Sequence, residues 1–129
     1  MKGEGGSLVH VRIAAVVAAA AVGLGAFGAH GLEERFVEVG ERAAGWWDTA
    51  VFYHLVHAVA LFALAASSWF VKGPWWLLLV GTFLFSGSLY VMGVTGFTKL
   101  GMVTPLGGLS FIAGWIGIAW KAGSRRGGA

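Results

Sequence analysis

The sequence predicts an all-α integral membrane protein, a four-helix up-down bundle with a short amphipathic helix between helices one and two. Three observations carry this. Hydrophobic residues make up 57% of the 129 residues and charged residues 12%, about half the charged share of a soluble globular chain. Four apolar runs, separated by segments that hold Gly, Pro and most of the charges, each approach the roughly 20 residues a helix needs to cross about 30 Å of hydrocarbon. Tryptophan pairs, Trp46-Trp47 and Trp75-Trp76, stand at the ends of two runs, where indole rings favour the membrane interface.

The first run covers residues 8–29. A cleaved signal peptide is the alternative for it, with a basic start and small residues at its end. The run is long for a leader, however, and its small residues recur at helical spacing: Ala21, Gly25 and Ala29 on one ridge, Ala15, Ala19 and Gly23 on another. Such ridges let helices approach closely in lipid, so the run reads as a retained span. Residues 32–45 follow. Leu32, Phe36, Val39 and Ala43 recur every three or four positions among Glu33, Glu34, Glu38, Glu41 and Arg42, the pattern of a surface-lying helix. A solvated linker is the alternative reading.

The second span, 49–69, carries Tyr53, His54 and His57. At about 100° per residue these lie within one face of the helix. Ionisable groups inside a membrane are by default a hypothesis about function. Lys72-Gly73-Pro74 is expected to turn the chain into a third span, 75–94, whose second half holds Ser86, Gly87, Ser88 and Tyr90. A fourth span, 104–120, has Pro105 in its first turn. The tail, 122–129, is basic and glycine-rich and is expected to be disordered.

Cysteine is absent, which removes disulfides, thiolate catalysis and cysteine-based metal sites. The net charge is +3, with no aromatic-interleaved basic stripe of the kind that binds nucleic acid. Four spans put both termini on one side, together with Lys2, Arg12, Lys72, Lys121, Arg125 and Arg126. The positive-inside rule makes that side cytoplasmic, giving a multi-pass protein of the cell membrane.

Alternating spans gather the polar residues into the half of the bilayer away from the termini. His30, Tyr53, His57, Ser86, Ser88, Tyr90 and Thr104 are the expected cluster, and Gly25, Gly87, Gly107 and Gly108 are expected at close helix contacts. Three readings stay open for the cluster. It can be a hydrogen-bond network that locks the helices together. It can be a metal or haem site built on His54 and His57 with His30 as a third nitrogen, although no acid lies deep in the spans. Or it can be a site for a small molecule, a proton or a lipid head. His10 reads as an interfacial residue, and no Ser/His/acid spacing points to a nucleophile.

Four stretches, GAFGAHGL at Gly25–Leu32, TAVFYHLVHAVAL at Thr49–Leu61, FSGSLY at Phe85–Tyr90 and LGMVTPLGGLSFIAGW at Leu100–Trp115, resemble the small membrane-protein family known as domain of unknown function 423, or transmembrane protein 256. The resemblance covers nearly the whole chain. It implies a four-helix membrane protein and supports His30, Tyr53, His57, Ser86, Ser88, Tyr90 and Thr104 as matching positions. His54 falls outside the fixed family pattern, which weakens a metal pair. The resemblance implies no reaction and no cofactor. The expectation is a membrane binding module or accessory subunit, without enzymatic activity and without a cofactor. Its partners would be the lipid bilayer and a second copy or another membrane protein. A histidine-based metal or haem redox protein, or an oligomeric small-solute or proton transporter, is the alternative.

Overall fold

A computed structural model describes residues 6–127, with side chains to Arg125. The helices are α1 (Leu8–His30), α2 (Glu33–Val39), α3 (Ala43–Ala65), α4 (Lys72–Gly81), α5 (Gly87–Thr95) and α6 (Thr104–Gly127). A π-helical turn, Thr82–Ser86, joins α4 to α5, and a 3₁₀ turn, Thr98–Met102, precedes α6. Counting α4, the π turn and α5 as one unit, four helices among the described residues are long and apolar enough to cross a membrane. Among the described residues there is no strand.

Why the polypeptide turns where it does follows from local chemistry. Gly40, at φ +141°, ends α2 in a conformation that other residues rarely adopt. The predicted surface helix over 32–45 therefore stops at Val39, and the residues from Ala43 onward, with both tryptophans, already belong to the second span. That span ends at Ala65, not at 69, and the next begins at Lys72, not at Trp75. The turn expected at Lys72-Gly73-Pro74 is instead the first turn of α4, where proline's missing N–H costs nothing.

The expected disordered tail is also corrected. Helix α6 continues through residues 122–127, while 128 and 129 lie outside the described residues. Arg125 donates to the Ser68 carbonyl, and its guanidinium lies 5.3 Å from the Trp69 ring centroid. These contacts tie the basic end of α6 to the α3–α4 turn.

Each tryptophan pair splits between core and surface. Trp75 is fully buried, and its indole N–H donates to the Leu61 carbonyl at 2.9 Å. Trp47 is buried, and its N–H donates to the Leu24 carbonyl at 2.9 Å. Consecutive residues on a helix point about 100° apart, so only one of each pair can face outward. The other takes a core position and satisfies its N–H on a neighbouring helix.

The spans pack in sequence order: α1 against α3, α3 against the third span, and the third span against α6. One core gathers Ala14, Ala58, Leu61, Trp75, Leu78 and Phe111 toward the end that holds the termini, and a second, around Phe36, Ala43 and Trp47, lies at the opposite end. Val16, Val22, Phe52, Val59, Phe83, Ile112 and Ile116 point outward and are exposed. That is the surface a bilayer covers and water would not. At the far end Arg35 donates to the Val94 carbonyl at 2.7 Å, holding α2 against the end of α5.

Candidate functional site

The buried face of α3 carries Trp47, Ala50, His54, His57, Ala58, Leu61 and Ala65, a three-four spacing that points into the bundle along its whole length. His54 and His57 both lie on it, yet they serve different neighbours. His54 Nε2 is 2.8 Å from the Val17 carbonyl on α1, and Nδ1 is 2.8 Å from the Tyr90 hydroxyl on α5. A carbonyl only accepts, so Nε2 bears the hydrogen and the lone pair on Nδ1 takes the Tyr90 O–H. His57 has the opposite arrangement. Its Nδ1 lies 2.8 Å from the Tyr53 carbonyl and must donate, while Nε2 accepts the Trp115 indole N–H at 3.1 Å.

Two polar units result, where the sequence suggested one pocket. The first is Val17, His54 and Tyr90, spanning α1, α3 and α5. Ser86 sits beside it, donating to the Ala50 carbonyl at 2.8 Å. The second centres on His57, which stacks on Phe111 at 3.7 Å between centroids and contacts Trp115 on α6. Tyr53 belongs to the second unit through its ring, which packs on Phe85 with centroids 4.5 Å apart. The hydroxyls of Ser88 and Thr104 lie 2.6 Å apart. His30 is exposed in the last turn of α1 and belongs to neither unit.

The donor set does not suit a metal. Both nitrogens of His54 and of His57 are engaged with protein groups, and their rings face different helices. Among the described residues no three His, Cys, Asp or Glu side chains lie together.

Beside the first unit runs a groove of about 300 Å³. Helix α1 supplies Val16, Val17, Ala20 and Leu24 to one wall, and the third span supplies Thr82, Phe83, Ser86 and Gly87 to the other. His54 and Tyr90 also border it, but their polar atoms are turned onto each other and onto Val17, and the surface the groove presents is apolar. Val16 and Phe83 on its margin are exposed, so it opens sideways into lipid. The π turn forms much of the second wall, and single π turns inside helices often accompany sites. Its geometry is held by two contacts: Thr82 Oγ1 donates to the Leu78 carbonyl at 2.9 Å, and Gly107 of α6 abuts the backbone of Phe85.

Glycine contacts separate the expected packing positions. A Cβ on Gly107 would lie 2.3 Å from the Phe85 nitrogen, and one on Gly25 3.2 Å from Val51 Cγ1. On Gly108 the nearest atom would be at an ordinary 3.9 Å, and on Gly87 nothing lies within 4 Å because that face looks into the groove. Gly28, where a Cβ would lie 2.2 Å from Trp47 Nε1, is a tighter contact that spacing did not single out. His54, left out of the expected cluster, carried a signal that could have placed it there: it continues the buried three-four series through Ala50 and Leu61. Phe83 and Trp115 had no such signal, because an apolar residue in an apolar span carries no mark of what it faces.

Comparison with known proteins is consistent with this architecture. The pattern described as "Protein of unknown function (DUF423)" matches residues 24–108. The UPF0382 membrane protein YwdK of Bacillus subtilis (strain 168) is 44% identical over 120 residues, covering 88% of this chain and 95% of that protein. The UPF0382 inner membrane protein YgdD of Escherichia coli (strain K12) is 42% identical over 100 residues, 73% of each chain. No solved structure matches the chain. With the matched residues running from the end of α1 into the first turn of α6, across all four spans, the chain belongs to the DUF423 family of membrane proteins.

Proposed function

We propose that this protein is a non-enzymatic binding module of the cell membrane, and that its site is the groove between α1 and the third span. The observation that carries the reading is the groove itself: a cavity of about 300 Å³ with an apolar surface, bordered by the hydrogen-bonded His54–Tyr90 pair. An apolar concavity of this size suits an apolar guest such as an acyl chain. Its sideways opening suits a ligand that arrives through the bilayer.

The test uses the protein in nanodiscs containing a phosphatidylcholine with a photoactivatable group halfway along one acyl chain. Crosslinks are expected to concentrate on Val16, Val17 and Phe83, and to fall several-fold in Gly87→Leu, whose side chain would occupy the groove. Crosslinks spread evenly over all outward-facing residues, unchanged by the substitution, would refute the site.

We also propose that both termini lie on the cytoplasmic side. Gly6 bonds the Ala65 carbonyl, and Arg125 the Ser68 carbonyl, so the start of α1 and the end of α6 share one face with Lys72, the face richer in basic residues. Because the chain lacks cysteine, Ser124→Cys and Glu38→Cys can be labelled singly. Ser124→Cys should react with an impermeant maleimide only in inverted vesicles and Glu38→Cys only in right-side-out ones. The reverse pattern would overturn the orientation.

A further inference from the structure

We infer that a second groove, between the start of α4 and the last turns of α6, holds one anionic glycerophospholipid, with an acyl chain in the groove and the phosphate beside Lys121. It is separate from the groove beside α1 and does not depend on it. Its volume is about 570 Å³, with Val71 and Pro74 on one side and Ala113, Ile116, Gly117 and Trp120 on the other. Gly117 makes the floor. A Cβ there would lie 2.7 Å from Pro74 Cγ, so the two helices close on each other at that point while Ile116 and Trp120 stand out, exposed, as a wall.

The surface this groove presents is almost wholly apolar, which selects a hydrocarbon guest. Its course selects the kind. Lys121 lies seventeen residues beyond Thr104 on α6, roughly 26 Å at about 1.5 Å per residue, near the far side of a hydrocarbon layer about 30 Å thick. From Lys121 to Ala113 the groove covers eight residues of α6, roughly 12 Å. It therefore runs from one interface most of the way to the midplane, as an acyl chain of one leaflet does.

Charge selects the head. Lys121 borders the interfacial end of the groove and is exposed, and Lys72, equally exposed, follows Val71 directly in the chain. Neither is neutralised by an acid. Among the described residues every Asp and Glu falls between positions 33 and 48, at the opposite end of the bundle, and the one ion pair there is Arg35–Glu38. A phosphate with a neutral glycerol head meets this lysine with a net negative charge, whereas a choline head brings a cation of its own. One Lys or Arg at the membrane surface is worth about fivefold in affinity for an anionic lipid. Arg12 separates a built site from general attraction to a basic face: it is exposed near the start of α1, at the same end of the molecule, but borders no part of the groove.

Purified protein in maltoside detergent would be titrated with palmitoyl-oleoyl phosphatidylglycerol or with the phosphatidylcholine of the same chains, and bound lipid counted by native mass spectrometry. Wild-type protein should take up one phosphatidylglycerol saturably, about fivefold more tightly than phosphatidylcholine. Lys121→Gln should remove that preference and leave phosphatidylcholine uptake unchanged. Ala113→Phe, at an exposed position, should weaken both lipids several-fold by filling the deep end of the groove. Arg12→Gln should change neither by as much as about twofold, and excess glycerol phosphate, the head without its chains, should displace nothing. Equal uptake of the two lipids, equal losses in Lys121→Gln and Arg12→Gln, wild-type binding in Ala113→Phe, or displacement by glycerol phosphate would each overturn the site.

Discussion

His54 and His57 stand three residues apart on one helix and carry their hydrogens on opposite nitrogens, Nε2 in the first and Nδ1 in the second. Each tautomer is set by a backbone carbonyl, which can only accept. The remaining nitrogens differ in what they meet. His57 faces an indole N–H that can only donate, so a second proton there breaks the bond. His54 faces a hydroxyl, which can reverse and accept.

The difference predicts unequal responses at His57. His57→Leu leaves the Trp115 N–H without its partner but keeps an apolar filler against Phe111, and should cost about 1 kcal/mol. His57→Lys places a fixed charge deep in the bundle and should cost roughly 2.5–3.5 kcal/mol on insertion scales. Unfolding in mixed detergent measures both. Equal stabilities would mean that the position reaches water.

Gly107 and its neighbour should behave oppositely. Gly107→Ala drives a methyl group into the Phe85 backbone at 2.3 Å, where no rotamer change relieves it, and overpacking of this kind costs about 1–3 kcal/mol. Gly108→Ala meets Phe85 Cδ2 at 3.9 Å and gains helix propensity, so it should be neutral or stabilising by up to about 1 kcal/mol. Thermal unfolding of the two single variants in one detergent decides it, and similar midpoints would contradict the packing.

Gly28→Ala should displace the Trp47 indole, since the new methyl would lie 2.2 Å from its Nε1. The Trp47–Leu24 bond would break and the T-shaped contact of Trp47 with Tyr90, at 4.7 Å between centroids, would open. A destabilisation of about 1–3 kcal/mol is expected, with a changed near-ultraviolet circular dichroism spectrum. An unchanged spectrum would place the indole elsewhere.

Arg125→Ala removes the link to Ser68 and Trp69. Amide hydrogen exchange over residues 121–127 should accelerate several-fold, while the middle of α6 is unaffected, because helix ends held by few contacts open locally. No change over that stretch would show that the helix end is stable without the link.

Arg35→Ala should free α2 from the Val94 carbonyl. A Glu-specific protease should then cut faster at Glu38 or Glu41, and rates equal to wild type would show that α2 is held by Phe36 and Leu32 alone.

The sequence by itself determined the class and the order of spans. Stretches of about twenty apolar residues have one stable way to satisfy their backbone in lipid, as helices, and short connections make neighbours antiparallel. It also showed that polar residues stand within the spans, and span alternation puts Ser88 and Thr104 in the same half of the bilayer. Helix limits moved as well: Gly40 cut the surface helix short, and α6 runs past Trp120 to Gly127. Only the tertiary structure decided which polar residues belong together. Rotation of each helix about its axis is free as far as hydropathy is concerned, because lipid and protein interior are alike apolar. Packing sets it, through Gly28 against Trp47 and Gly107 against Phe85. That rotation turned His54 toward Tyr90 and His57 toward Trp115, dividing one expected cluster in two and leaving a groove beside the first.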